Sequence, residues 1–411
     1  MERRDLALLC AGVLCFWLFA LAFGTAQGRG LTVQAVLPTA APAVEESAPA
    51  VAAAAQPQLA LNCRAAILVD QDSGTVLYEK NADEQMPIAS ITKVMTLLLT
   101  FEAIHDGRLT QETTVPVSEH AYHMGGSQIW LEPGEQFTLD EMIKAICVSS
   151  ANDAAVAVAE LVGGSEPAFV ERMNARAAEL GMEHTTFHNA CGLDTEGHLS
   201  TARDVAVMSR QILNTCPEVL HYTGIWTDTL RGGATQLVNT NKLLRRYNGI
   251  TGLKTGTTGG AGVCISASAT RDGLRLIAVI LGAPSSKDRF DAATTLLDYG
   301  FGAWQAAPLP EPDTQPLQLK VTGSAEDSVP LDYSALPQTV LLPREGAAEL
   351  TVRACLPQQL EAPVEKGQAV GTVQVYSGEE LQGEYEVKAA ADAPRMDFGT
   401  AFGLLWESLK G

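Results

Sequence analysis

The chain has 411 residues, with 48 acidic against 28 basic side chains and a formal net charge of −20. That balance argues against nucleic acid as a partner, which would require a basic face. The length is enough for one large core and a second, smaller domain.

Arg3 and Arg4 precede an almost wholly apolar run from Leu6 to Phe23, and Gly24-Thr25-Ala26 offers small residues for cleavage. Residues 1–29 read as a signal peptide or N-terminal anchor, and the chain as exported and extracytoplasmic. The run is long enough to leave both fates open. Cys15 follows Val13-Leu14 and so lacks the preceding small residue of a lipoprotein signal. Residues 30–59, rich in Ala, Pro, Val and Glu, read as a disordered spacer.

Three short motifs then follow in order across residues 60–305. Ser90-Ile91-Thr92-Lys93 opens a run to Ile104 with helical periodicity and no internal Gly or Pro. Three residues of spacing put the Ser90 hydroxyl and the Lys93 amine on one face, one turn apart. A serine attacks only when a base takes its proton, so Lys93 must be neutral. Burial or a second cation, Lys254, would lower its pKa. Ser150-Ala151-Asn152 forms the turn between an amphipathic helix over Leu139–Val148 and an Ala/Val-rich helix over Asp153–Val162. There Ser150 can relay a proton from Lys93 to a leaving amine, and the Asn152 amide can hold a substrate peptide group and the lysine. Asn152 or Asp153 would also cap the second helix, and Asp153 is assigned to structure. Lys254-Thr255-Gly256 lies in a strand and hairpin at a sheet edge, with Val263–Ala269 alternating after it. Lys254, Thr255 and Thr257 offer charge and hydroxyls to a carboxylate. Gly256 leaves room for a substrate backbone, and the Thr257 N–H is placed as an oxyanion donor. Each motif alone is weak; their order over separations of 60 and 104 residues is the signal.

With these motifs the chain resembles the D-alanyl-D-alanine carboxypeptidase family, the low-molecular-mass penicillin-binding proteins typified by penicillin-binding protein 5. The likeness extends to Ala65–Asp70 with Ser73–Leu77, to Asn189–Leu193 with His198–Asp204, and to Asn239-Thr240-Asn241. It implies an α+β fold, in which a serine β-lactamase/transpeptidase-like catalytic domain, an antiparallel sheet flanked by helices, precedes a small C-terminal β-sandwich. It also implies roles: Ser90 as nucleophile, Lys93 as base, Ser150 and Asn152 for proton relay and positioning, and Lys254, Thr255, Gly256 and Thr257 for substrate binding. The Ser90 and Thr257 N–H groups would form the oxyanion hole. The chain departs from the family in having Thr251-Gly252 before the third motif, where Asp-Gly is frequent, and Thr257 after it, where His or an aromatic is frequent. Arg289 would contribute to the carboxylate pocket or form a surface salt bridge.

The six cysteines beyond the leader include no C-x-x-C pair, so neither a metal nor a cofactor is expected; Cys147 and Cys264 read as buried thiols. After Gln305, Pro308, Pro310, Pro312 and Pro316 mark a linker into a β-domain over residues 306–393. Residues 394–411 read as an amphipathic helix, with Phe398, Phe402, Leu405 and Leu409 on one face and Trp406 beside them. Such a helix docks on a membrane surface or on protein. The expected activity is removal of the terminal D-alanine from peptidoglycan stem peptides, with β-lactams acylating the same serine. A D,D-endopeptidase, a β-lactamase of the same fold and a scaffold without turnover are the alternatives. The β-lactamase reading lacks an E-x-x-L-N segment between Ser150 and Lys254.

Overall fold

The structure, a computed structural model, describes residues 57–310, 316–346 and 348–409. The expected leader and nearly all of the expected spacer lie outside those residues.

The core element is a five-stranded antiparallel sheet. Its strands are β1 (Ala65–Asp70), β2 (Val76–Lys80), β3 (Ile250–Thr258), β4 (Gly262–Arg271) and β5 (Leu274–Ala283), in the order β2-β1-β5-β4-β3. Antiparallel sheets often face water on one side, which gives alternating sequences. Here β1 reads AAILVD and is buried throughout. Ile67 and Val69 join one apolar cluster, while Ala66 and Leu68 join another. Both faces of the sheet are therefore covered, and an alternating strand would leave polar groups buried.

On the first face, the turn Ala89–Thr92 runs directly into helix α1 (Lys93–His105). Helix α2 (Leu139–Val148) begins at a capping box in which Thr138 and Glu141 satisfy each other's backbone N–H groups. Helix α3 (Asn152–Gly163) buries every residue from Asn152 to Ala159, as expected of a helix apolar on all sides. Helices α4 (Glu166–Glu179), α5 (Ala202–Thr215) and α6 (Val219–Thr223) surround it. On the second face, α7 (Ser286–Ala303) packs Phe290, Leu296, Leu297 and Phe301 against Leu68, Leu276 and Ile280.

The stretch expected to begin the linker is instead a strand. β6 (Trp304–Pro308) continues from α7 and pairs with β9 (Thr339–Pro343), from Trp304↔Pro343 to Pro308↔Thr339. Pro308 is tolerated because it closes the strand. The C-terminal region then builds a six-stranded sheet. In chain order its strands are β7 (Gln318–Thr322), β8 (Ser328–Asp332), β10 (Leu350–Cys355), β11 (Gln359–Glu361), β12 (Ala369–Ser377) and β13 (Glu380–Ala389). They lie in the order β10-β12-β13-β8-β7-β11. Helix α8 (Phe398–Ser408) ends the described chain. Among the described residues no helix is long and apolar enough to cross a membrane.

Candidate active site

Ser90 lies in the turn before α1, where Ala89 adopts a positive φ of 50°. This conformation costs a non-glycine residue free energy and is held by its surroundings. Lys93, the first residue of α1, is completely buried, and its Nζ donates to Ser90 Oγ at 2.9 Å, Asn152 Oδ1 at 2.6 Å and the Cys191 carbonyl at 2.7 Å. Burial lowers its pKa to about 8, against opposing contributions from Cys191 and Asp153. Of the two expected causes, burial is the one that acts, and the charge of Lys254 is not among the contributions.

Asn152 has a fixed orientation, because Oδ1 faces an ammonium and Nδ2 donates to the Gly125 carbonyl at 2.7 Å. The helix cap expected of Asn152 or Asp153 is not formed. Ala151 occupies the cap position without a side-chain bond, and Asp153 instead accepts from the N–H groups of Ile129 and Leu131. Those bonds clamp the segment that covers Asn152, as its assignment to structure anticipated. The same segment holds Trp130 at φ 58° and 74% exposed, while Arg231 donates to the Ile129 and Trp130 carbonyls.

The third motif meets the second. Lys254, 2% exposed, donates to Ser150 Oγ at 2.8 Å and to the Thr255 carbonyl at 2.9 Å. Its pKa lies well below the ordinary lysine value, first from burial and then from the nearby charge of Lys93. Ser150, at φ 60°, accepts from Lys254 in the resting site, a partner that the expected relay did not include. Thr255 Oγ1 donates to Thr240 Oγ1 at 2.6 Å, and Thr257 turns its hydroxyl to the Gly256 carbonyl.

Gly256 has a packing reason beside the expected room for a substrate backbone. A Cβ there would stand 2.9 Å from the Ile88 carbonyl and 3.0 Å from Ser90 N, so the glycine lets β3 press against the turn that holds Ser90. Arg289 is buried and forms no surface salt bridge; it donates to the carbonyls of Gly256 and Cys264 behind the strand.

The structure thus brings Ser90, Lys93 and Asn152 into one network and Ser150, Lys254 and Thr255 into an adjoining one. Sequence reasoning gave no chemical role to Cys191, whose carbonyl is the third partner of Lys93. Asn189 Oδ1 accepts from the N–H groups of Cys191, Gly192 and Leu193 and shapes that loop. Thr240 was likewise missed; its N–H bonds to the Val148 carbonyl, and neighbouring Asn241 donates to the Gly252 carbonyl.

A family model described as D-alanyl-D-alanine carboxypeptidase matches residues 50–285, and one described as penicillin-binding protein 5, C-terminal domain, matches residues 305–395. D-alanyl-D-alanine carboxypeptidase DacF of Bacillus subtilis is 39% identical over 347 residues, 84% of this chain and 89% of that protein. DacC of Escherichia coli is 34% identical over 358 residues, 84% of this chain and 87% of that protein. Among solved structures, penicillin-binding protein 5 from Haemophilus influenzae superposes with a TM-score of 0.71 at 29% identity, covering 82% of this chain and 99% of that one. Penicillin-binding protein D2 from Listeria monocytogenes in its ampicillin-bound form gives 0.55 at 35% identity, covering 60% of this chain and all of that one.

Proposed function

The chain belongs to the D-alanyl-D-alanine carboxypeptidase family and is a serine peptidase, and from this premise we propose how its own residues share the reaction. The observation that carries the reading is the environment of Lys93. Two of its three partners, Asn152 Oδ1 and the Cys191 carbonyl, can only accept hydrogen bonds. When the amine is neutral its two protons go to those oxygens, and the lone pair is left facing Ser90, whose hydroxyl can donate.

Ser90 Oγ then attacks the carbonyl of the penultimate D-alanine as its proton passes to Lys93. The N–H groups of Ser90 and Thr257 stabilise the oxyanion, a placement supported by the close approach of β3 to Ser90 N. Ser150 accepts from Lys254, so its own proton is available to the departing amine as the C–N bond breaks, and the lysines restore it. Water hydrolyses the ester, giving one proton to Lys93, and Ser90 regains a proton as it leaves. Lys254 and Thr255 anchor the substrate carboxylate. β-Lactams acylate Ser90 by the same attack.

The test is D-alanine release from diacetyl-Lys-D-Ala-D-Ala by the full chain, with fluorescent penicillin labelling alongside. Both are expected, and both vanish in Ser90→Ala. Labelling without release would overturn carboxypeptidase action on this substrate and favour cleavage of crosslinks.

We propose further that the enzyme is exported and works at the membrane surface. The apolar run Leu6–Phe23 supports export. Helix α8 supports surface attachment, because Phe398, Phe402 and Trp406 follow one another at i,i+4 spacing and stack at 6.2 and 6.4 Å. Trp406 belongs to this ridge, where a position beside it had been expected.

A further inference from the structure

We propose that His105, Cys216 and Glu218 form a binding site for one divalent transition-metal cation of the zinc type, remote from the catalytic serine. His105 is the last residue of α1, Cys216 caps the end of α5, and Glu218 precedes α6. From Lys93 to His105 the helix extends about 18 Å, so the cluster sits at the opposite end of the nucleophile's helix. His105 and Cys216 are 111 positions apart, so no sequence spacing could have revealed it.

The ligand atoms of all three side chains lie within 4.8 Å of one another, and His105 Nε2 stands 2.6 Å from Glu218 Oε1. Zinc bonds of about 2.0 Å to nitrogen and 2.3 Å to sulfur at tetrahedral angles set the ligand atoms about 3.5 Å apart. Small side-chain movements reach that spacing. The imidazole and carboxylate are now hydrogen-bonded where the cation would stand between them. An ion pair alone does not need a buried thiol beside it, and Cys216 is buried.

The donor set selects the metal. Thiolate and imidazole suit zinc and its neighbours, while magnesium and calcium require oxygen. Three protein ligands leave one position for water, and His105 and Glu218, 45% and 35% exposed, give a route in from solvent. Nearby Arg176 carries a charge that opposes a cation, yet it is matched by Glu102 and Glu179. The thiolate, not the thiol, is the metal ligand. Binding therefore expels the thiol proton to solvent as the sulfur–metal bond forms, with no change in oxidation state.

The test is titration of the full, untagged, chelator-stripped chain with Co²⁺ alone, followed by competition with Zn²⁺. One equivalent is expected to bind, giving the visible bands of tetrahedral cobalt and a near-ultraviolet thiolate-to-cobalt band, both abolished by zinc. Cys216→Ser should remove the thiolate band, and His105→Gln, at an exposed position, should weaken binding about a hundredfold or more. Penicillin labelling reports that each variant is folded. Absence of stoichiometric binding would overturn the proposal. So would binding unchanged in both variants, or binding lost in Cys63→Ser or Cys355→Ser.

Discussion

Lys93 must hold one proton fewer than its surroundings would give it in water, and its buried position arranges this. Below about pH 8 the ammonium donates to all three partners and cannot accept from Ser90; above it the lone pair is free. The rate of penicillin acylation is thus expected to rise with pH, reach half its maximum near 8 and level off above. A flat profile from about pH 6 to about pH 10 would remove Lys93 as the base. The same shift bears on stability, since an unfolded lysine stays protonated to about 10.4. Between the folded and unfolded values the unfolded chain binds more protons, so stability rises with pH in that window. Trp130 is strained for a different purpose. A bulky residue at φ 58° costs about 1–2 kcal/mol, and the clamps from Asp153 and Arg231 impose it. Trp130→Gly is expected to raise thermal stability by about 0.5–1 kcal/mol, read from the melting curve with penicillin labelling as the control for fold.

At the scale of elements, two glycines set how closely three segments converge. At Gly192, with φ 84°, a Cβ would stand 1.9 Å from the Ala89 carbonyl, so Gly192→Ala must displace the loop that presents the Cys191 carbonyl to Lys93. A loss of about 3 kcal/mol or more is expected in denaturant unfolding, with labelling abolished. Gly256→Ala meets the Ile88 carbonyl and Ser90 N at a gentler 2.9 and 3.0 Å. Backbone atoms this close must give way, so its acylation rate should fall tenfold or more, with a loss of stability smaller than that of Gly192→Ala. Regular elements were legible because periodicity records burial. Leu139–Val148 is the helix read from its apolar face, whereas the alternation of Val263–Ala269 within β4 does not record burial, because Ser266 and Ser268 are buried as well. The proposed nucleophile and its partners were legible because the chemistry proposed for them belongs to their side chains. Cys191 was not, since it acts through a carbonyl that every residue possesses. Nor was the strand β6, whose pairing with residues 339–343 leaves no mark in its own short sequence.

Over the whole molecule, the proposed catalytic groups all lie between Ser90 and Thr257, while the proposed membrane contact is confined to the last described residues. Phe398 is 86% exposed and Leu409 74%, and Lys410 is the only basic residue after Met396. Attachment by this helix should therefore rest on apolar burial and persist on uncharged vesicles at high salt. In vesicle sedimentation, removal of residues 396–411 should release the protein while leaving cleavage of a soluble peptide intact. Retention of the truncated chain would place the contact elsewhere. The sheet order carries a consequence for synthesis. Every proposed catalytic side chain has been made by Thr257, yet β1 and β4 are joined only through β5, which ends at Ala283. A nascent chain stopped at Asp272 holds the complete chemistry without the strand that closes the sheet. Reactivity toward penicillin should switch on abruptly with that last strand, so the antibiotic can serve as a clock for the moment the chain finishes folding.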